Sequence, residues 1–198
     1  MSDQTLNAEM LSEDEGRFLV RFARHTIAGA LRDELPTEES VDPPTERLSQ
    51  PGAAFVTLHT GAGALRGCIG SLMAHRPLIE DVRANALAAA FDDPRFPPLT
   101  LAELPNIVVE VSVLTTPKPL DYEAGQDLIE KLRPHVDGVV IQQGWHRATF
   151  LPQVWEQLPS PVEFLTNLCY KAGLPASTWR QGDLEVLTYR VQKFEEPT

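Results

Sequence analysis

The run Leu65-Arg66-Gly67-Cys68-Ile69-Gly70 holds the chain's most unusual combination of residue types. A thiol stands between two glycines and two residues from a guanidinium. A positive charge beside a thiol favours the thiolate, the nucleophilic and redox-active form of cysteine. In an unbroken strand, Arg66 and Cys68 share a face. Gly67 and Gly70 each weaken a strand, because they supply no side chain and cost backbone entropy. A bulge, a close backbone crossing or a ligand lying on the main chain must offset that loss. Two readings follow. Cys68 is a nucleophilic or redox-sensitive group in a cleft, or it is a small residue buried where two backbones pack.

Asp92-Asp93-Pro94-Arg95-Phe96-Pro97-Pro98 forms a second polar cluster, set in prolines. Proline gives the segment a fixed course, so Arg95 is presented rigidly. It either binds an anion or carboxylate, together with Arg66, or it braces the loop with Asp93. Cys169 lies on an apolar helical stripe with Phe164, Leu165 and Leu168, which makes it a core residue. His59 and His75 flank the glycine-rich hairpin and are candidate proton carriers, although solvated loop positions suit them better. His25 falls in a helix, and His135 and His146 in loops. None of these spacings is a metal signature, so no metal site is expected. Gly61-Ala62-Gly63 lies between two strands and opens no helix, which excludes a dinucleotide fingerprint. Phosphate-loop and serine-hydrolase motifs are absent. Trp145, Trp155 and Trp179 fall near element ends and are expected to close core edges.

The elements that position these residues follow from periodicity. Ser12 and Glu15 have capping-box spacing. Phe18, Leu19, Phe22, Ile27, Ala30 and Leu31 then recur at helical intervals up to about Leu35, before Pro36. Four prolines and several acids over residues 36–51 predict an exposed loop. Ala53–His59 and Leu65–Gly70 form a hairpin, and Pro77 opens a helix that ends at the Asp92 segment. Thr100 and Glu103 predict a capped turn, and Ile107–Thr115 a central strand. Gly138–Gln143 and Arg147–Leu151 form a second hairpin. A helix from Pro161, capped by Ser160, follows it and is ended by Gly173. Leu184–Phe194 is a final long strand. Strand–turn–strand–helix thus occurs twice, which suggests an internal repeat. Mixed elements with antiparallel hairpins indicate an α+β fold, mainly antiparallel sheet flanked by helices.

Composition narrows the function classes. The 198 residues carry a formal charge of −11, of which residues 1–50 contribute −6 from 11 acids and 5 bases. Nucleic acids and anionic membranes are recognised by clustered Lys and Arg, so neither partner is expected. No apolar run is long enough to span a bilayer. The polar start Met1-Ser2-Asp3-Gln4 has no secretory pattern, and two cysteines make no disulfide framework. A cytoplasmic protein is expected, with a flexible N-terminus over residues 1–11.

Five motifs occur in order: Leu65–Gly70 (LRGCIG), Asp93–Pro98 (DPRFPP), Glu110–Leu114 (EVSVL), Phe150–Val154 (FLPQV) and Cys169–Leu174 (CYKAGL). Together they resemble the AMMECR domain family, called the AmmeMemoRadiSam system protein A family in prokaryotes, over residues 12–194. The resemblance implies one α+β unit with two unequal lobes and a repeated β–α arrangement. It implies no agreed activity or cofactor. It names Memo-like and radical-SAM proteins as pathway partners, and it centres interest on Arg66, Gly67, Cys68 and Gly70, with Asp93 and Arg95 from the second motif. The expectation is a small-ligand-binding or accessory component of that pathway. The alternatives are a cysteine-dependent enzyme acting on a small anionic substrate through Cys68, and a non-catalytic docking adaptor.

Overall fold

The computed structural model describes residues 10–34 and 43–197. The chain divides into two compact units, Met1–Thr115 with Gln192–Thr198, and Thr116–Val191. The fold is α+β, and every strand pair whose register is given is antiparallel.

In the first unit, helix α1 (Glu13–Leu31) starts at the expected capping box. The Ser12 amide donates to Glu15 Oε2 at 2.7 Å, and the Glu15 amide to Ser12 Oγ at 3.2 Å. The helix stops at Leu31 rather than Leu35: the chain turns through Arg32, and Asp33 takes a left-handed φ of 56°. Its buried stripe runs through Leu19, Val20, Ala23 and Ile27, so Phe18 and Phe22 lie at the margin and stack on each other.

Strands β1 (Pro51–Thr60) and β2 (Leu65–Gly70) form the expected hairpin. The two-residue β3 (Arg76–Pro77) leads into α2 (Leu78–Phe91), and β4 (Ile107–Leu114) follows. The sheet order is β2-β1-β4-β9, where β9 is Val191–Glu195, with β3 beside β1. Strict alternation places Ala54, Val56 and Leu58 of β1, and Val109 and Val111 of β4, on one face. That face packs against Val82, Ala86 and Ala89 of α2 and the α1 stripe.

The exposed loop expected over 36–51 is corrected where it is described. Glu46–Ser49 is a short 3-10 turn, Leu48 is fully buried, and Arg47 Nη1 donates to the Met10 carbonyl at 2.6 Å. Residues 36–42 lie outside the described residues, as do residues 1–9 of the expected flexible N-terminus. Leu11 is not part of a free tail: it is buried, and its amide and carbonyl both bond the Gln192 side chain at 2.8 Å.

The second unit holds β5 (Lys118–Pro119), α3 (Gly125–Lys131), β6 (Gly138–Gln143), β7 (His146–Phe150), α4 (Pro161–Lys171) and β8 (Glu185–Tyr189). Its sheet order is β5-β8-β6-β7. Trp155 and Phe164 stack at 3.7 Å between ring centroids in a core with Val139, Ile141, Leu168 and Trp179. The single final strand expected over Leu184–Phe194 is two strands. β8 ends at Tyr189, and β9 (Val191–Glu195) joins the other sheet. No helix among the described residues is long and apolar enough to cross a membrane.

Candidate functional site

The two glycines of β2 are explained by protein packing. A Cβ on Gly67 would lie 2.1 Å from the Ala89 carbonyl oxygen of α2, and one on Gly70 would lie 2.2 Å from Phe55 Cγ. The offset they require is therefore a close helix–strand crossing and a tight cross-strand pair, and neither α-carbon is open to a ligand on that side. The ladder also carries a bulge. Leu58 pairs with Gly67 but His59 pairs with Leu65, so Arg66 is the extra residue. The shared face expected for Arg66 and Cys68 fails at this bulge. Arg66 turns instead to Glu103, with Nε 2.8 Å from Oε1, and its Nη2 donates to the Pro97 carbonyl at 3.0 Å. Arg66 Nη1 is buried and has no hydrogen-bond partner among the described residues.

The proline-fixed loop does fold back over the hairpin. Asp93 Oδ2 accepts the Cys68 amide at 2.8 Å, and Arg95 Nη2 donates to the Cys68 carbonyl at 3.2 Å. Arg95 is clamped by Asp93, with Nε to Oδ1 at 2.9 Å and Nη2 to Oδ2 at 2.7 Å. The Phe96 ring is near both arginines: its centroid is 5.8 Å from Arg66 Cζ and 5.6 Å from Arg95 Cζ. Both guanidiniums are thus neutralised by carboxylates, Asp93 and Glu103. The Arg95 hydrogen bonds hold the Asp93 carboxyl well below the usual carboxylate range, helped by the Cys68 and Arg95 amides. Arg66, then Thr100, bring Glu103 down to about 2.

Cys68 itself is half-buried and unpaired with any other cysteine. Its Sγ accepts the Thr57 hydroxyl at 3.3 Å. The register Cys68↔Thr57↔Glu110 runs straight across β2, β1 and β4, on the face opposite the α1–α2 core. Ser112 Oγ donates to Glu110 Oε1 at 3.0 Å on that same face.

A sequence model of the AMMECR1 family matches residues 20–194, which include the whole of this hairpin and loop. The chain belongs to the AMMECR1 family. It is 40% identical over 195 residues to a Methanopyrus kandleri protein, covering 95% of this chain and 91% of that one. It is 42% identical over 191 residues to a Methanothermobacter thermautotrophicus protein, covering 94% and 96%. The crystal structure of an uncharacterized Pyrococcus horikoshii protein superposes with a TM-score of 0.78 at 37% identity, over 94% of this chain and 93% of that one.

Within this AMMECR1-family chain, several contributors escaped sequence reasoning. Thr57 meets Cys68 only through strand register, and Glu103 meets Arg66 across 37 residues. Asp81 is fully buried and accepts from the Ala54 amide, Ser71 Oγ, Arg76 Nε and Asn85 Nδ2 at 2.7–3.0 Å, tying the segment after Gly70 to α2. A signal for it existed: Asp81 and Asn85 stand four apart on the apolar side of α2.

The remaining candidates stand apart from Cys68. His59 is a strand residue on the Cys68 face, paired with Val108, rather than a loop histidine. His75 is exposed and contacts the Met73 carbonyl at 2.9 Å. His146 opens β7 and contacts the Ala172 carbonyl at 2.8 Å, so it is not a loop residue without a partner. Among the described residues, no group of three or more His, Cys, Asp or Glu is arranged to hold a metal ion. Cys169 is fully buried, and burial pushes its thiol up. Trp155 and Trp179 close the second core as expected, but Trp145 does not: it is 98% exposed at the β6–β7 turn.

Proposed function

We propose that this AMMECR1-family chain is a small-ligand-binding or accessory component of a pathway shared with Memo-like and radical-SAM proteins, and that the corner between Cys68 and Arg95 receives an anionic ligand. One observation carries the reading. Arg95 is half exposed and locked beside Cys68 by Asp93 through Nε and Nη2, which leaves Nη1 without a hydrogen bond among the described residues. A guanidinium held in one orientation with one edge open is suited to a carboxylate or phosphate oxygen.

A second reading, in which Cys68 acts as a nucleophile on such a ligand, is favoured by the half-buried thiol and its Thr57 contact. Alkylation of native Cys68 by iodoacetamide tests both. Inorganic phosphate or succinate should slow the labelling saturably in the parent and not in Arg95→Ala. Without anion, Arg95→Ala should slow labelling, since it leaves the Asp93 carboxylate uncompensated beside the sulfur. Labelling that no anion slows argues against the ligand site. Slow labelling that Arg95→Ala leaves unchanged argues against the nucleophile and leaves β2 as a packing strand.

A further inference from the structure

Strand β7 is an edge of the second unit's sheet, and part of its outer row of backbone groups is open. The two-residue turn Gly144-Trp145, with Gly144 at a φ of 60°, is closed by the pair Gln143 and His146. A closing pair is hydrogen-bonded across the hairpin, so alternation turns the N–H and C=O groups of Arg147 and Thr149 away from β6. The Thr149 carbonyl accordingly accepts Lys171 Nζ of α4, at 3.0 Å. The Arg147 amide and carbonyl and the Thr149 amide have no such partner among the described residues. The side chains at this edge are equally free. Trp145 stands almost wholly in solvent, beside a Gly144 whose Cβ would meet nothing within 4 Å. The His146 contact with the Ala172 carbonyl holds the turn against the end of α4, where Tyr170 is exposed. Arg147 is exposed, and its guanidinium makes no ion pair or hydrogen bond among the described residues. Residues 143–150 and 170–173 contain no acid, in a chain whose formal charge is −11.

We infer that the β7 edge, from Trp145 to Thr149, is a docking site for an extended acidic segment of a partner protein, which joins the four-stranded sheet as a fifth strand. The open donor, acceptor and donor of Arg147 and Thr149 match the backbone of an extended peptide, and neither a lipid headgroup nor a nucleic acid offers that row. Charge selects the occupant. Arg147 and Lys171 favour carboxylates on the incoming strand, and no acid at the edge competes for them. A second copy of this chain is disfavoured. The open groups centre on Arg147, so two β7 edges pairing about a two-fold axis would set Arg147 against its own counterpart, and like charges directly opposite destabilise a strand pair. Trp145 is the anchor: a large indole on a rigid turn gains contact area on binding at little cost in conformational entropy.

Trp145 also reports on the site, because Trp155 and Trp179 are buried and shielded from a soluble quencher. The test is acrylamide quenching of tryptophan fluorescence in the full chain, with and without an end-blocked octapeptide of alternating Val and Glu. This peptide should protect Trp145 saturably, and added salt should weaken the protection. The matching Val–Lys peptide should give none. Arg147→Glu, with folding checked by thermal melting, should weaken the Val–Glu peptide by about tenfold or more. A Val–Glu peptide with alternate amides N-methylated keeps its charge but cannot pair along the strand, and should lose about as much without any change to the protein. No protection by about millimolar Val–Glu peptide overturns the docking site. Equal protection by the Val–Lys peptide, or an Arg147→Glu variant that binds as the parent does, overturns the acidic partner. Full binding of the N-methylated peptide overturns strand addition. Protection that grows with protein concentration alone overturns the proposal in favour of a second copy. Neither Cys68 nor Arg95 enters the test, so its outcome leaves the anion reading untouched.

Discussion

The chain builds a hairpin followed by a helix twice, and the two copies use their cysteines in opposite ways. In the first, β1 and β2 lead to α2, the ladder is interrupted at Arg66, and Cys68 sits on a strand, half-buried, under a frame of two ion pairs. In the second, β6 and β7 lead to α4 in unbroken register from Val139↔Phe150 to Gln143↔His146, and Cys169 lies fully buried on the helix. The second copy is held by apolar packing around Trp155 and Phe164. The first adds a bulge, glycines against a helix and paired charges, none of which a stable hairpin needs. The irregular features are thus concentrated in the first of the two similar units.

Substituting equivalent-looking glycines is the strongest way to break that contrast. Gly67→Ala should destabilise by about 3 kcal/mol or more, since its Cβ would meet the Ala89 carbonyl at 2.1 Å. Gly144→Ala in the second hairpin meets open space and should lose only about 1 kcal/mol, from its φ of 60°. Urea unfolding of both variants measures the gap; equal losses would remove the distinction between a crossing glycine and a turn glycine.

The ion-pair frame sharpens the contrast next. Asp93→Asn should cost about 2 kcal/mol through weakened bonds to the Cys68 amide and Arg95. Both Asp93 and Glu103 have folded values below those of unfolded carboxyls. Their contribution is therefore complete above the unfolded carboxyl values of about 4 and is lost as pH falls through the folded ones, about 2 for Glu103 and lower still for Asp93. Stability followed down that range should fall less in Glu103→Gln than in the parent. The smallest effect belongs to the second cysteine. Cys169→Ala should cost about 1 kcal/mol for a small cavity. Cys169 should also label only on unfolding, and native labelling there would erase the difference between the two thiols.

Much of the scaffold was readable from residue order because local patterns encode it. The capping box at Ser12, both hairpins and the Pro161 helix rest on spacings within a few residues. The helix α3 was missed: it has seven residues and no side-chain cap. The split at Arg190 was missed because Leu184–Phe194 alternates well enough to look continuous. At the site, Cys68, Arg95 and Asp93 could be nominated from residue type, whereas the return of the loop over the hairpin rests on contacts between segments 25 or more residues apart. The direction of Arg66 could not be read, because one extra residue in a ladder leaves no trace in a period-two pattern. Thr57 and Glu110 depend on a register between three strands, which no single segment specifies.

The Asp93–Arg95 brace has one more consequence, for assembly. β2 ends the sheet path, so its outward backbone groups would ordinarily offer a template to another chain. At Cys68 both of those groups are already occupied, the amide by a carboxylate and the carbonyl by a guanidinium. Two side chains stand in for the missing neighbour strand at the centre of the exposed edge. The loop that frames the thiol is thereby also a guard against sheet-to-sheet growth.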